Sequence, residues 1–320
     1  MNCWITLWTT LCLSPLASAQ EAVLEAQLPV SWRPASFSNP TENGSEDLKA
    51  VVHYPTKPGQ NGKEAAEVAN RDGGYPVLVL LHGLGGTGPL MQPLGSLLAR
   101  HGYIVVCTDT TSNNRELQAV NAGAFFSALT EENKRKESPF AGQLDMARAG
   151  ITGHSMGGGN TAKVLTDNPG YKAGFCFAPW TTESGSSTGA DYLGEAIDKI
   201  AVPIGILHGI NDRVLPWQSN ALSLYSALSE HKTTVVFWRL GEEANHVNVA
   251  FPASSRTQST ENDRAMFGLC SNLAVAFFDR FLRADGEAFA AHVDPESATE
   301  GVLEVYSNSR DKKQIRAVGR

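Results

Sequence analysis

The sequence predicts an α/β domain of doubly wound type, a mostly parallel central sheet flanked by helices. Three observations carry that expectation: short apolar runs recur from residue 76 onward, helical stretches separate them, and no internal repeat interrupts the alternation. The runs are Pro76 to Leu81, Tyr103 to Cys107, Ala149 to Thr152, Ala173 to Ala178, Val202 to Leu207 and Thr234 to Leu240. Continuous apolar segments of this length suit strands buried on both faces of a parallel sheet. Between them, Trp217, Ala221, Leu224, Tyr225 and Leu228 share one helical face, and Met266, Leu269, Cys270, Leu273, Phe277 and Phe281 do the same near the C-terminus.

The first residues stand apart from this pattern. Cys3 to Leu16 is apolar and uncharged, and Ala17-Ser18-Ala19 precedes the polar Gln20 and Glu21. Residues 1–19 therefore read as a secretory signal cleaved after Ala19, and the product as a secreted or periplasmic protein. No later run approaches the roughly 20 apolar residues of a bilayer span, so stable membrane insertion is not expected. Residues 20–320 are expected to form a single catalytic domain, opening with a polar segment from Gln20 to about Gly74. That segment holds short β-like pieces such as Leu48 to Tyr54, and 57–74 reads as a surface loop. Asn43-Gly44-Ser45 would accept a glycan only in a eukaryotic secretory pathway.

Composition narrows the function classes. The 320 residues carry 26 basic and 33 acidic side chains, a formal charge of −7. A mildly acidic chain without a basic stripe gains little from phosphate contacts, which argues against nucleic acid as a partner. The five cysteines show no CxxC or Cys/His spacing, so neither a zinc module nor a dense disulfide scaffold fits, and no metal or cofactor is expected. Cleavage of the leader would leave Cys107, Cys176 and Cys270, an odd number, with the first two in apolar runs where a buried thiol is expected. A monomer is expected.

The chemistry concentrates at Gly153-His154-Ser155-Met156-Gly157, a G-x-S-x-G string that follows one apolar run and precedes a helical stretch from Asn160 to Leu165. A strand turning sharply into a helix projects the serine hydroxyl, and the residues two before and two after it must be small. Ser155 is the candidate nucleophile, and Gly158 and Gly159 would let the helix pack closely. A serine hydroxyl needs a positioned base and a group to orient that base. In chain order the candidates are Asp212, just past the run ending at Leu207, and His246, on the loop after Leu240. Asp167, Asp191, Glu242 and Glu243 are weaker choices for the acid, and His208 precedes Asp212 and breaks the order. His53, His101, His231 and His292 read as surface or helix-end residues. His154, in the variable place of the elbow, is a packing residue or a contributor to substrate binding.

An oxyanion needs two N–H donors, and the backbone of Met156 supplies one. Leu84, in the string His82-Gly83-Leu84-Gly85-Gly86, supplies the other. A rival reading uses Gly83, Gly85 and Gly88 as G-x-G-x-x-G with Asp109 as a ribose-binding acid. A dinucleotide site would suit an exported protein poorly and would leave the elbow, Asp212 and His246 without a role.

From about Leu48 to Leu282 the chain resembles serine esterases of the α/β-hydrolase fold, and the stretch between Trp180 and Val202 is too short for a large cap. The elbow, Asp212 and His246 resemble those of exported cutinase-like polyester hydrolases and of dienelactone-hydrolase-like esterases, whose dienelactone members use a cysteine nucleophile. Ala178-Pro179-Trp180 resembles the segment in which polyester hydrolases carry a substrate-clamping tryptophan, ordinary packing being the other reading of Trp180. The resemblance departs at Leu84, where the polyester hydrolases have an aromatic residue, and at Cys270, which has no later cysteine to pair with. The string His82 to Gly85 also resembles platelet-activating-factor acetylhydrolases, which cleave short-chain phospholipid esters. The resemblance implies carboxylic-ester hydrolysis by a Ser-His-Asp mechanism on a small-molecule, lipid-like or polymeric substrate. A phospholipid ester is the alternative, and a non-catalytic binding protein of the same fold is a further one.

Overall fold

The computed structural model describes residues 27–41, 44–109, 113–183, 191–231, 233–252, 258–293 and 299–308. The expected leader, 1–19, and Asn43 lie outside the described residues. Nine strands join one sheet: β1 (Val30–Thr41), β2 (Gly44–Pro55), β3 (Tyr75–Leu81), β4 (Ile104–Thr108), β5 (Leu144–His154), β6 (Ala173–Phe177), β7 (Ile204–Gly209), β8 (Val235–Leu240) and β9 (Val302–Ser307). Their order across the sheet is β1-β2-β4-β3-β5-β6-β7-β8-β9. The centre from β4 to β8 is parallel, while β1, β2 and β9 run antiparallel to their neighbours.

Each face of the sheet carries its own core, as strand alternation requires. Val77, Val79 and Leu81 of β3 point into one core with α2 (Arg115–Lys134), α3 (Met156–Asp167) and α4 (Ser223–Ser229). Leu78 and Leu80 point into the other, beneath α1 (Gln92–Arg100) and α5 (Glu261–Leu282). Local chemistry starts α5 firmly: the Thr260 hydroxyl accepts the Asp263 N–H at 3.0 Å and the Asp263 carboxylate accepts the Thr260 N–H at 3.0 Å. The short helix α6 (Glu287–Val293) follows.

The structure corrects several expectations. The polar opening is a long hairpin of two 12-residue strands, and β1 carries Pro34 within it. Proline lacks the ladder donor and is tolerated because β1 is the edge strand of the sheet, with a single isolated bridge, Trp32 to Glu64, beyond it among the described residues. The antiparallel β9 is not among the expected strands, because its buried Val302 and Val305 stand three residues apart across a register shift and show no period-2 alternation. The helical face beginning at Trp217 starts as a wide turn, Gln218–Leu222, before α4. The expectation that no later run approaches a bilayer span needs correcting, because the 22-residue α5 is long and apolar enough to cross one by length and composition. Its Met266, Cys270, Leu273, Phe277 and Phe278 are instead buried in the core. His53 is buried on β2 rather than at the surface, whereas His101 follows α1, His231 pairs with Asp198 at 3.0 Å and His292 lies in the last turn of α6. Cys107, Cys176 and Cys270 are all free and buried.

Candidate active site

The C-terminal ends of β3, β5, β7 and β8 converge on one cleft, the position at which open α/β sheets bind ligands. Ser155 sits between β5 and α3 with φ 57 and ψ −118, a conformation that L-residues rarely adopt. The turn tolerates nothing larger than hydrogen at its flanks. A Cβ on Gly153 would lie 2.4 Å from the Gly157 carbonyl oxygen, and one on Gly157 would lie 2.5 Å from that of Leu81. The backbone holds the strain from both sides, since the Ser155 N–H donates to Phe177 O at 3.0 Å and its carbonyl accepts the Trp180 N–H at 2.9 Å.

The structure brings Ser155, His246 and Asp212 together. His246 Nε2 lies 3.0 Å from Ser155 Oγ, and its Nδ1 lies 2.7 Å from Asp212 Oδ2. A carboxylate oxygen accepts, so Nδ1 carries the hydrogen and Nε2 is left to receive the serine proton. The bare backbone of Gly209 lets the end of β7 press against the His246 loop, where a Cβ would meet Ala244 O at 2.2 Å. That loop is tied by side-chain amides: Asn245 Oδ1 accepts the N–H groups of Val247 and Asn248 at 2.9 and 3.1 Å. Asn248 Oδ1 accepts the Asn245 N–H at 2.8 Å.

Asp212 is nearly fully buried and saturated with donors. Its Oδ1 accepts the N–H groups of Val214 and Leu215 at 2.9 and 2.8 Å. His208 Nε2 lies 2.9 Å from Oδ2. Burial by itself would push this carboxyl up, but the hydrogen bonds from His208 and His246 outweigh it and hold the group well below the usual carboxylate range. The rival acids are engaged elsewhere or exposed: Asp191 accepts the Glu183 N–H at 2.9 Å, and Glu243 accepts from Asn262 at 2.8 Å. Asp167 and Glu242 lie on the surface.

The loop after β3 runs directly beside the elbow, for a Cβ on Gly83 would stand 3.1 Å from Ser155 Cβ. Leu84 lies in a tight turn closed by the Gly86 N–H on Gly83 O at 2.9 Å, with Gly85 at φ 71. Its side chain is 57% exposed at the cleft mouth. A chain of buried amides props this loop from below. Gln118 donates to His82 O at 3.0 Å, Asn160 donates to Gln118 at 2.8 Å, and the Tyr192 hydroxyl donates to Asn160 at 2.8 Å. Asp109, the acid of the dinucleotide alternative, accepts the Gly88 N–H at 2.9 Å and so braces the loop itself.

Above these groups opens a cavity of about 520 Å³, walled by Leu84, Leu90, Met91, Trp180, Val214 and Phe251, among others. His154 also lines it, with its Nε2 held on the His246 carbonyl at 2.6 Å. Trp180 forms a wall and is pinned by Arg115, whose guanidinium lies 4.6 Å from its ring centroid and 3.2 Å from that of Tyr192. Arg115 also donates to the carbonyls of Trp180 and Thr182. Residues 178–203 join β6 to β7, and among the described ones the regular structure is a short 3₁₀ turn, Gly194–Lys199, rather than a cap domain. Sequence reasoning missed two participants. His208 was passed over for its order, although its place four residues before Asp212 at the same strand end was the available signal. Arg115 carried no signal, because its partners lie 65 residues and more along the chain.

Comparison with known proteins gives a consistent set. A family model described as PET hydrolase-like matches residues 50–309. Cutinase est1 of Thermobifida alba is 24% identical over 212 residues, spanning 61% of this chain and 66% of that protein. A cutinase of Thermobifida fusca (strain YX) is 25% identical over 210 residues, 61% of this chain and 65% of its own length. Bis(hydroxyethyl) terephthalate hydrolase of Streptomyces coelicolor is 25% identical over 180 residues, 56% of this chain and 49% of that protein. The match thus spans less than two thirds of each of these relatives.

Proposed function

Because the chain belongs to the PET hydrolase-like family and has its α/β-hydrolase fold, we propose that it is a carboxylic ester hydrolase acting by acyl transfer through Ser155, on lipid-like or polymeric esters and on polyesters foremost. One observation carries this reading: a continuous hydrogen-bonded path from Ser155 Oγ through His246 to the buried Asp212, at the floor of an apolar cleft. The relatives' names, cutinase and bis(hydroxyethyl) terephthalate hydrolase, support the substrate class.

In the proposed reaction Ser155 Oγ attacks the ester carbonyl carbon while His246 Nε2 takes the hydroxyl proton. Asp212 keeps the Nδ1 hydrogen bond and stabilises the imidazolium without taking the proton. The carbonyl oxygen becomes an oxyanion held by the N–H groups of Leu84 and Met156. His246 then returns the proton to the leaving alkoxide, and an acyl ester on Ser155 remains. Water attacks that ester with His246 again as base, His246 gives the proton to Ser155 Oγ as the acyl bond breaks, and the acid departs. Trp180, fixed by Arg115, and His154 form the adjoining substrate wall. The sheet from Val30 to Ser307 supports one catalytic domain within 20–320, and export through the 1–19 leader belongs to the same proposal.

The test is a phosphonate label combined with a chain-length series of p-nitrophenyl esters, a polyester film and a phospholipid on the purified protein. The label is expected on Ser155 and on no residue of Ser155→Ala, with acid released from the film. Folded protein that refuses the label overturns the enzyme reading. Phospholipid turnover far above film turnover replaces the polyester reading with the phospholipid one. N-terminal sequencing of the exported protein is expected to begin at Gln20.

A further inference from the structure

His208 ends in the same carboxylate as His246. It lies fully buried near the end of β7, with Nε2 2.9 Å from Asp212 Oδ2 and 3.0 Å from the carbonyl oxygen of Leu215. Both neighbours are acceptors, so Nε2 carries the hydrogen. Nδ1 is buried with no hydrogen-bond partner among the described residues, and a second proton there would leave an unsatisfied buried donor on a charged ring. The geometry therefore places the ring hydrogen on Nε2. Asp212 Oδ2 receives one N–H from each imidazole, while Oδ1 is occupied by the backbone of Val214 and Leu215.

We propose that His208 is a positioning residue of this site, holding Asp212 Oδ2 toward His246 and sharing its negative charge. The inference rests on the proposed role of Ser155, His246 and Asp212. An oxygen that accepts two N–H donors presents less negative potential to each of them, so it stabilises the His246 imidazolium less than an unshared carboxylate would. The titratable groups facing this pair come from three elements. His208 stands on β7, His246 follows β8, and His154 of β5 lies 4.8 Å from His246 by ring centroids. Beside His208 in register on β8 is Arg239, whose guanidinium is held by Glu304 at 2.9 Å and stands 4.8 Å from the Trp217 ring centroid. Arg213, next to Asp212 in sequence, and Glu242 and Glu243, shortly before His246, are exposed.

The test compares the intact protein with His208→Leu, which removes the donor, and His208→Gln, which can return an N–H to Asp212. Histidine ring ¹⁵N NMR is followed across a pH titration, alongside the pH profile of kcat/KM on a soluble ester. His208 in the unaltered protein is expected as the Nε2–H tautomer. In His208→Leu the titration of His246 and the acid limb of kcat/KM are expected to rise together by about half to one pH unit, the scale of one hydrogen bond to a carboxylate partly transmitted to its partner. His208→Gln should move less than half as far. An Nδ1–H tautomer at His208, or a folded His208→Leu with an unmoved His246 titration, overturns the proposal. Should the leucine variant not fold, the tautomer and the glutamine variant decide. The NMR readout uses no ester, so a protein without esterase activity sinks the functional reading and leaves this one to be judged.

Discussion

His154 Nε2 donates to the carbonyl oxygen of His246 at 2.6 Å, so the residue just before Ser155 on β5 holds the loop that carries His246. Burial first, and then the neighbouring His246, pushes the His154 imidazole down to about 3. The ring is therefore neutral in ordinary buffers, and its one N–H is committed to this bond. Phe251 packs edge-on against it with centroids 5.1 Å apart, which leaves little rotational freedom.

His154→Phe keeps an aromatic ring and removes the donor. Displacement of a base by as little as 1 Å can cost about 100-fold in rate, so kcat on a soluble ester is expected to fall about 10- to 100-fold while KM changes far less. Steady-state kinetics check this. An unchanged kcat would mean that the amide bonds of Asn245 and Asn248 hold the loop unaided.

The backbone at Ser155 yields a stability prediction as well as an activity one. Both Ser155→Ala and Ser155→Gly should abolish turnover. At φ 57 and ψ −118 the Cβ of alanine remains strained and glycine does not. The glycine variant is therefore expected to be more stable than the alanine variant by about 1 kcal/mol in urea denaturation. Greater stability for alanine would count against strain at the elbow.

Two glycines make a matched pair for packing. A Cβ on Gly159 would fall 1.9 Å from the Trp180 carbonyl oxygen, whereas one on Gly268 in α5 meets nothing within 4 Å. Gly159→Ala is expected to destabilise by about 3 kcal/mol as backbone is forced apart. Gly268→Ala should stabilise by about 0.5–1 kcal/mol through helix propensity. Thermal and urea unfolding of both variants measure the contrast.

Acid stability depends on His53. Burial pushes its imidazole down to about 4, and its Nε2 is buried with no partner among the described residues. The unfolded chain takes up a proton near pH 6.5 that the folded protein refuses until about pH 4. Stability is thus unaffected above about pH 6.5 and falls as pH drops through that window, by about 1.4 kcal/mol per pH unit at most and about 3 kcal/mol in all. His53→Leu is expected to flatten that slope in denaturant titrations run from pH 7 to pH 4. Identical slopes in the two proteins would remove His53 as the cause. His154 titrates in the same sense and leaves a residual slope.

How much was legible follows from how far each signal reaches along the chain. The central strands read well, because continuous apolar runs such as Leu78 to Leu81 are local. The hairpin of β1 and β2 did not, because Pro34 and exposed alternate residues blur a strand that only the sheet edge tolerates. The elbow was legible because its steric demand falls on Gly153 and Gly157, two residues either side of Ser155. Asp212 and His246 could be singled out by their place after strands, without any knowledge of distance.

By itself, then, the sequence determined the alternation of strands and helices and the tight turn at Ser155, since both follow from side-chain size and spacing within a few residues. Only the tertiary structure decided that one oxygen of Asp212 serves both His208 and His246. It alone decided that Arg115 on α2 pins Trp180, and that His154 braces the His246 loop across 92 positions. Those contacts depend on which strand ends the parallel sheet sets side by side, and no local pattern of residue types encodes that adjacency.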